Sequence, residues 1–442
     1  MKRVLQVILI ALFVGQMAMV FAADRMLVSI EEPSPEMTQQ MLDDNILVTR
    51  DLGRYLLAVI TAEEYAQLSS RGLTLDVLDS STGGKNYYTV ALRNREQASW
   101  LRDNARLLRQ DNVDAVIEAT ALEAESVSGA GLDIAKVFMR PIRIATEVKP
   151  QFQVKDEPNP VIVDLVNSVS GSLVDSYVQR LQDFQTRHST QDSCQSAENW
   201  LVSKFESFGI ADVYTQNFSS TYKDNVVAVI PGVSEPDKVI VIGGHYDSTT
   251  SNQNYCPGAD DNASGTACIL ECARIFADLE FEYTIKFVAF CGEEQGLYGS
   301  EAFASAAAAA GEDIVGAVAV DMIGYKANGD FSDLDIIDNA SSGWMRDLVA
   351  SVAGMYVPGL PVVDGSLPFG ASSDHASFWA NGYDAILFFE DTGNYSPYIH
   401  GSDDVVGVSY NNPLLAENSV KIAAALVATM ARPFTISIAH DP

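Results

Sequence analysis

The sequence predicts an α/β fold, a doubly wound and largely parallel sheet with flanking helices, preceded by a small α+β N-terminal domain. Three observations predict it. From about residue 161 onward, apolar runs with little alternation recur between helical stretches, the pattern of strands buried on both faces. Residues 26 to about 120 instead alternate short strand and helix signals. Between these regions, "TEVKPQFQVKDEPNP" (Thr146 to Pro160) is charged, proline-containing and without periodicity, as a linker is.

Taken in order, the chain begins with Lys2 and Arg3, followed by "VLQVILIALFVGQMAMVFA" and the small residues Ala22 and Ala23. This predicts a signal peptide over residues 1–22, cleaved after Ala22 or Ala23, and hence a secreted or periplasmic protein. A retained anchor is the alternative, because the run nearly reaches spanning length. No later stretch is read as long and apolar enough to cross a bilayer, so no membrane contact is expected after cleavage. The N-terminal domain covers 23–150. In it "NILVTR", "RYLLAVI", "LTLDVLD" and "YYTVAL" read as strands, and "AEEYAQLSS" and "REQASWLRDNARLLRQ" as helices. It holds no histidine. Behind an export signal and ahead of a linker (151–160), it is expected to be a pro-domain cut off between about Ile144 and Pro160; a permanent accessory domain is the competing reading. The large domain covers 161–442. Its strands are "NVVAVIPG", "KVIVIGGHYDS", "TIKFVAFCGEE", "VGAVAVDMIG" and "DAILFFED". Its helices include "VDSYVQRLQDFQ", "SAENWLVSKFESFG" (stopped by Gly209), "NASGTACILECARIFADL" and "SEAFASAAAAAGED".

Composition removes some function classes. A hydrophobic fraction of 47% over 442 residues fits a globular chain with at least one sizeable core. A formal charge of -31 repels nucleic acid and anionic membranes. Of five cysteines, Cys194 and Cys256 lie in polar, loop-like contexts and are the expected disulfide pair. Cys268 and Cys272 share a helix face, and Cys291 reads as a small buried hydrophobe.

In a sheet of this kind ligands bind beyond the carboxyl ends of the strands. "VIVIGG" stops at His245, with Asp247 two residues on; "FVAFCG" stops at Glu293 and Glu294; "AVAV" stops at Asp321. The turn "PGADDNASG" carries Asp260 and Asp261 ahead of a helix, and His400 stands in "NYSPYIHGSDD". An Asp before a helix is usually a cap, and a lone His is usually structural. The joint pattern is different, because so acidic a chain does not crowd carboxylates together without a cation. Divalent metal is the natural one, and mixed nitrogen and oxygen donors suit zinc.

The motifs "GGHYDS", "PGADDNASG", "EEQGLYGS", "VDM", "SDHASF" and "YIH" occur in the order found in the di-zinc aminopeptidases of the bacterial leucyl aminopeptidase type, which residues 165 to about 430 resemble. The resemblance implies two zinc ions, His245 and Asp321 on one, Glu294 and His400 on the other, and Asp261 bridging both. It implies Glu293 as general base for a water held between the ions, Asp247 orienting His245, and a non-proline cis peptide after Asp261. It also implies a peptide or protein N-terminus, with an apolar first residue, as substrate. Asp260 matches a motif position that is no ligand. His375 is read as structural, and Met322 and Phe389 as pocket walls. The chain departs from the family at Pro368 and Ser372, where some members place a disulfide, and at Gly370, where they place a substrate-contacting tyrosine. Two other readings were weighed: a glutaminyl cyclase-like acyltransferase, disfavoured by Asn262, where that relative typically has serine, and a non-catalytic receptor-like ectodomain, disfavoured because every ligand position is filled. The oligomeric state is not legible.

Overall fold

The computed structural model describes residues 25–31, 33–144, 152, 154, 157–365 and 372–434. The signal segment, most of the linker, Pro368 and Gly370 lie outside them.

The N-terminal domain is a tandem repeat. Strands β1 (Met26–Glu31), β2 (Leu47–Asp51), β3 (Tyr55–Ile60) and β4 (Leu75–Asp79) with helices α1 (Pro35–Asp43) and α2 (Ala62–Ser70) form an antiparallel sheet in the order β2-β3-β1-β4. Strands β5 (Tyr87–Ala91), β6 (Arg106–Gln110), β7 (Asp114–Glu118) and β8 (Ile134–Lys136), with α3 (Arg95–Asn104) and α4 (Ala121–Ser128), repeat the same path in the order β6-β7-β5-β8. Each copy is a split βαβ unit. Its second helix opens on the same capping box, Thr61 with Glu64 in one copy and Thr120 with Glu123 in the other. The two sheets pack through Leu27, Tyr55, Leu57, Tyr87 and Val116. The Tyr55 hydroxyl donates to Asp114 (3.1 Å) and that of Tyr87 to Asp79 (3.0 Å). The helix expected over "REQASWLRDNARLLRQ" ends at Asn104. Ala105 turns to extended geometry, and Arg106–Gln110 pairs with β7 instead. Sheet pairing here overrides a helical spacing that the sequence carries straight through.

The large domain has eight strands in the order β15-β14-β16-β13-β11-β12-β10-β9. Its centre is parallel: β11 (Glu235–His245) lies between β12 (Tyr283–Phe290) and β13 (Asp313–Val320), and β16 (Ala385–Phe389) extends it beside β13. The outer strands β9 (Asp212–Gln216), β10 (Asn225–Ile230) and β14 (Leu334–Ile337) enter antiparallel, and β15 (Val362–Asp364) pairs parallel with β14 at the far edge. Among the described residues eight helices complete the domain: α5 (Pro160–Ser168), α6 (Gly171–Gln182), α7 (Asp192–Ser207), α8 (Ala263–Phe276), α9 (Tyr298–Ala310), α10 (Gly343–Tyr356), α11 (His375–Ala380) and α12 (Pro413–Ala431). Helix α12 is long and apolar enough to cross a membrane, contrary to the reading of the sequence. Of its most apolar window, 72% is buried inside the fold, so its composition is that of a central core helix.

The expected Cys194–Cys256 disulfide is not formed. All five cysteines are free and buried. Helix α7 turns Cys194 toward the end of β12, where its Sγ lies 3.9 Å from that of Cys291. Cys256 is held in its own loop, where its Sγ donates to the Asn252 carbonyl (3.5 Å).

Candidate metal centre

The parallel strands bring the chemistry together. His245 is the last residue of β11, Glu293 and Glu294 follow β12 by two residues, and Asp321 follows β13 directly. Because these strands are neighbours, three chain-distant segments end side by side. Asp261 stands immediately before α8, in a cis peptide with Asn262, as expected. Asn262 caps the helix through Gly265 N–H (2.8 Å) and donates to the Val320 carbonyl (2.9 Å), which ties the turn to the end of β13. His400 enters from the far loop with a left-handed φ of 55°.

The geometry separates into two ligand sets. His245 Nε2 is 3.4 Å from Asp261 Oδ1 and 3.4 Å from Asp321 Oδ1. His400 Nε2 is 3.3 Å from Asp261 Oδ2 and 3.0 Å from Glu294 Oε2. Donors arranged tetrahedrally at zinc bond lengths of about 2.0–2.1 Å stand about 3.3–3.4 Å apart, so these spacings suit zinc. Asp261 offers one oxygen to each set, as a bridge does. Glu294 Oε1 is buried without a hydrogen-bond partner, while Glu294 Oε2 and Asp321 Oδ1 face the imidazole nitrogens of His400 and His245. Unpaired carboxylate atoms are costly in a protein interior unless a cation meets them. Electrostatics agree. Burial disfavours charge on the His245 and His400 rings, yet the carboxylates beside them raise both pKa values well above the ordinary range. Burial, then Asp261, pushes Glu294 up to about 7, and burial raises Glu293 well above the ordinary carboxylate range. The pocket therefore has a deficit of positive charge.

Each other residue singled out has a defined place. His245 Nδ1 faces Asp247, 3.2 Å from its carbonyl and 3.6 Å from its carboxylate. Glu293 Oε2 lies 3.9 Å from His245 Nε2, close enough to count geometrically among donors with His245 and Asp321. Met322 and Phe389 line the cavity beside Tyr395 and Ile399. Asp260 turns away, accepting from Gly324 N–H (2.9 Å). His375 packs edge-on to Trp379 with ring centroids 4.5 Å apart, outside the cavity lining.

Several supporting residues escaped the sequence reading. Asp404 accepts from the backbone N–H of both Asp260 (2.9 Å) and Asp261 (3.0 Å). Ser373 donates to Asp321 Oδ2 (2.7 Å), leaving Oδ1 toward the ligand set. The fully buried Arg187 donates to the carbonyls of Tyr246, Leu181, Pro257 and Gly258 and so fixes the turn before Asp261. Only "GSDD" beside His400 was a local signal for Asp404; Arg187 and Ser373 had none. Arg93, Asp133 and Ile134 of the second N-terminal repeat also line the metal cavity, which encloses about 30 Å³.

Residues 225–425 match the family model described as Peptidase family M28. This segment is similar to peptidase family M28. The curated relatives described here are fungal probable zinc metalloproteases and leucine aminopeptidases. A probable zinc metalloprotease of Pyrenophora tritici-repentis is 35% identical over 193 residues, 38% of this chain and 44% of that protein. A probable leucine aminopeptidase of Arthroderma otae is 27% identical over 286 residues, 61% of this chain and 76% of that one. The chain spans less than half the length of the Pyrenophora relative. Among solved structures, the Legionella pneumophila LapA aminopeptidase aligns with a TM-score of 0.64 at 21% identity, covering 78% of this chain and 98% of its own. LapB from the same organism aligns with a TM-score of 0.64, covering 79% and 100%. At that identity the likeness shows the M28 fold.

Proposed function

We propose that the chain is an exported zinc-dependent aminopeptidase that removes N-terminal, apolar residues from peptides. The observation that carries this reading is the split of Asp261, whose two oxygens face the His245/Asp321 set and the His400/Glu294 set while Glu293 stands between strand end and cavity. Two zinc ions held there would polarise the scissile carbonyl and make a water molecule more acidic. Glu293 takes the proton of that water and delivers it to the leaving amine. Burial, the largest cause of its raised pKa, makes it a stronger base than an exposed carboxylate. Met322, Phe389 and Ile399 supply the apolar wall that an aliphatic first side chain would meet. The N-terminal domain is a pro-domain in this reading, removed within the stretch from Ile144 to Pro160. Its support is the placement of Arg93, Asp133 and Ile134 in the metal cavity.

The test is elemental analysis together with leucine p-nitroanilide and its N-acetylated analogue. Two zincs per chain and cleavage of the free-amine substrate alone are expected. A folded protein that holds no zinc, or that cleaves both substrates equally, would refute the proposal.

A further inference from the structure

The second repeat enters the metal cavity with an ion pair beside the apolar Ile134. Arg93, just beyond β5, reaches Asp133, just before β8, with Nη2 2.5 Å from Oδ1. The guanidinium also lies over the Tyr395 ring, 5.1 Å from its centroid. The same Asp133 Oδ1 is 3.8 Å from His400 Nε2. It therefore stands at nearly the spacing that separates His400 from its partners Asp261 and Glu294.

Resting on the zinc reading above, we infer that Asp133 is a latent fourth ligand of the metal beside His400, supplied by the N-terminal domain, with Arg93 as the residue that positions it. A catalytic zinc has three protein ligands and an open position, whereas four protein ligands close a site. His400, Glu294 and one oxygen of Asp261 make three. Asp133 makes the fourth and takes the place that substrate or water needs. The remaining space of about 30 Å³ agrees, since it has room for about one or two water molecules. Lys136 N–H donates to the Gly296 carbonyl (3.3 Å) and the Tyr88 and Tyr298 hydroxyls meet at 3.2 Å. Arg140 pairs with Glu301 and bonds Asn381 (2.6 Å). The repeat is thus clamped on both sides of Asp133, so the carboxylate is presented by fixed backbone. Release of the domain removes the ligand and opens the site in one event.

The experiment uses the full-length chain loaded with zinc, as wild type, Asp133→Ala and Asp133→Asn; the asparagine keeps an acceptor for Arg93 and guards against misfolding. Zinc release into excess chromogenic chelator is followed at neutral pH, and cobalt-substituted samples are compared by visible absorption. In both variants one of the two zincs should leave at least tenfold faster while the other is unchanged. The cobalt spectrum should change with it, and turnover of leucine p-nitroanilide should rise. Two bound zincs with release rates and cobalt spectra identical across the three proteins would overturn the role of Asp133 and leave the peptidase reading standing. Folded chains that bind no zinc would overturn both.

Discussion

Replacing Glu293 by glutamine separates its two possible roles. The side chain is 8% exposed, and burial, the largest cause, raises its pKa and so favours its protonated form in the metal-free protein. Glutamine has the shape and neutrality of that protonated form, so the metal-free variant should be about as stable as wild type. The Glu293 N–H contact to Asp247 (3.4 Å) is made by backbone and survives. What is lost is the proton acceptor. General acid–base catalysis contributes about 10²–10⁴-fold, equivalent to about 2.7–5.4 kcal/mol of barrier. The upper half of that range is expected because a buried carboxylate is the better base. The assay is kcat on leucine p-nitroanilide beside zinc content and melting temperature. Near wild-type turnover would show that Glu293 is not the base. Loss of a zinc would instead make it a ligand, which its position beside His245 and Asp321 allows.

Arg187→Lys keeps the charge but not the fork that reaches four carbonyls; with two left unpaired at about 1–3 kcal/mol each, the variant should be destabilised by about 2–6 kcal/mol in denaturant titration and hold zinc less tightly. Unchanged stability would remove Arg187 from the supporting frame. A Cβ at Gly265 would stand 2.2 Å from the Val320 carbonyl, so Gly265→Ala should push α8 off the end of β13, cost at least about 1–3 kcal/mol in thermal unfolding and weaken zinc binding. Zinc affinity should fall with acidity. Glu294 titrates near 7 in the metal-free pocket, so below that value zinc must displace its proton, and affinity should drop at least about tenfold per pH unit. A flat profile from pH 5.5 to 7 in competition titration would contradict that assignment. Chelation should lower the melting temperature and zinc restore it, since a ligand at a hundred times its Kd stabilises by about 2.7 kcal/mol.

The metal centre was legible because its residues stand where parallel strands end. Strands buried on both faces appear as unbroken apolar runs, and the first polar residue after each run marks the sheet edge. His245, Glu293 and Asp321 were found in this way. Asp261 and His400 lie in loops and were placed by motif resemblance, which spacing alone would not have supplied. Other features leave no local trace. Arg187 acts on three carbonyls 59 to 71 residues away in the chain, and Ser373 on an aspartate 52 residues away. The Cys194–Cys256 expectation failed for the same reason, because which loops meet is decided by packing. The tandem repeat was hidden by divergence and by "NARLLRQ", whose helical spacing yields to pairing with β7. The approach of Asp133 to His400 depends on the docking of one domain on another, and no spacing within either domain encodes it.

The acidity of the site and its rigidity have a common origin. Five donor side chains, three of them carboxylates, can be crowded into one cavity only if the backbone cannot relax to spread them apart. Three of them leave adjacent strands whose order is fixed by the core. Asp261, which faces both donor sets, is held from two sides, by Arg187 through the preceding turn and by Asp404 through two backbone N–H groups. Asp404 is four residues from His400, so one loop sets both the bridge and the last ligand. The fold therefore keeps a concentrated negative charge that demands cations before any substrate arrives. It also leaves one face of the cavity unlined by the sheet, and that is the face to which the second repeat brings Arg93 and Asp133. A domain covering such a site must carry charge of its own. A purely apolar plug would desolvate the metal ligands with nothing to compensate, whereas an arginine–aspartate pair offers a cation to the carboxylates and a donor oxygen to the metal.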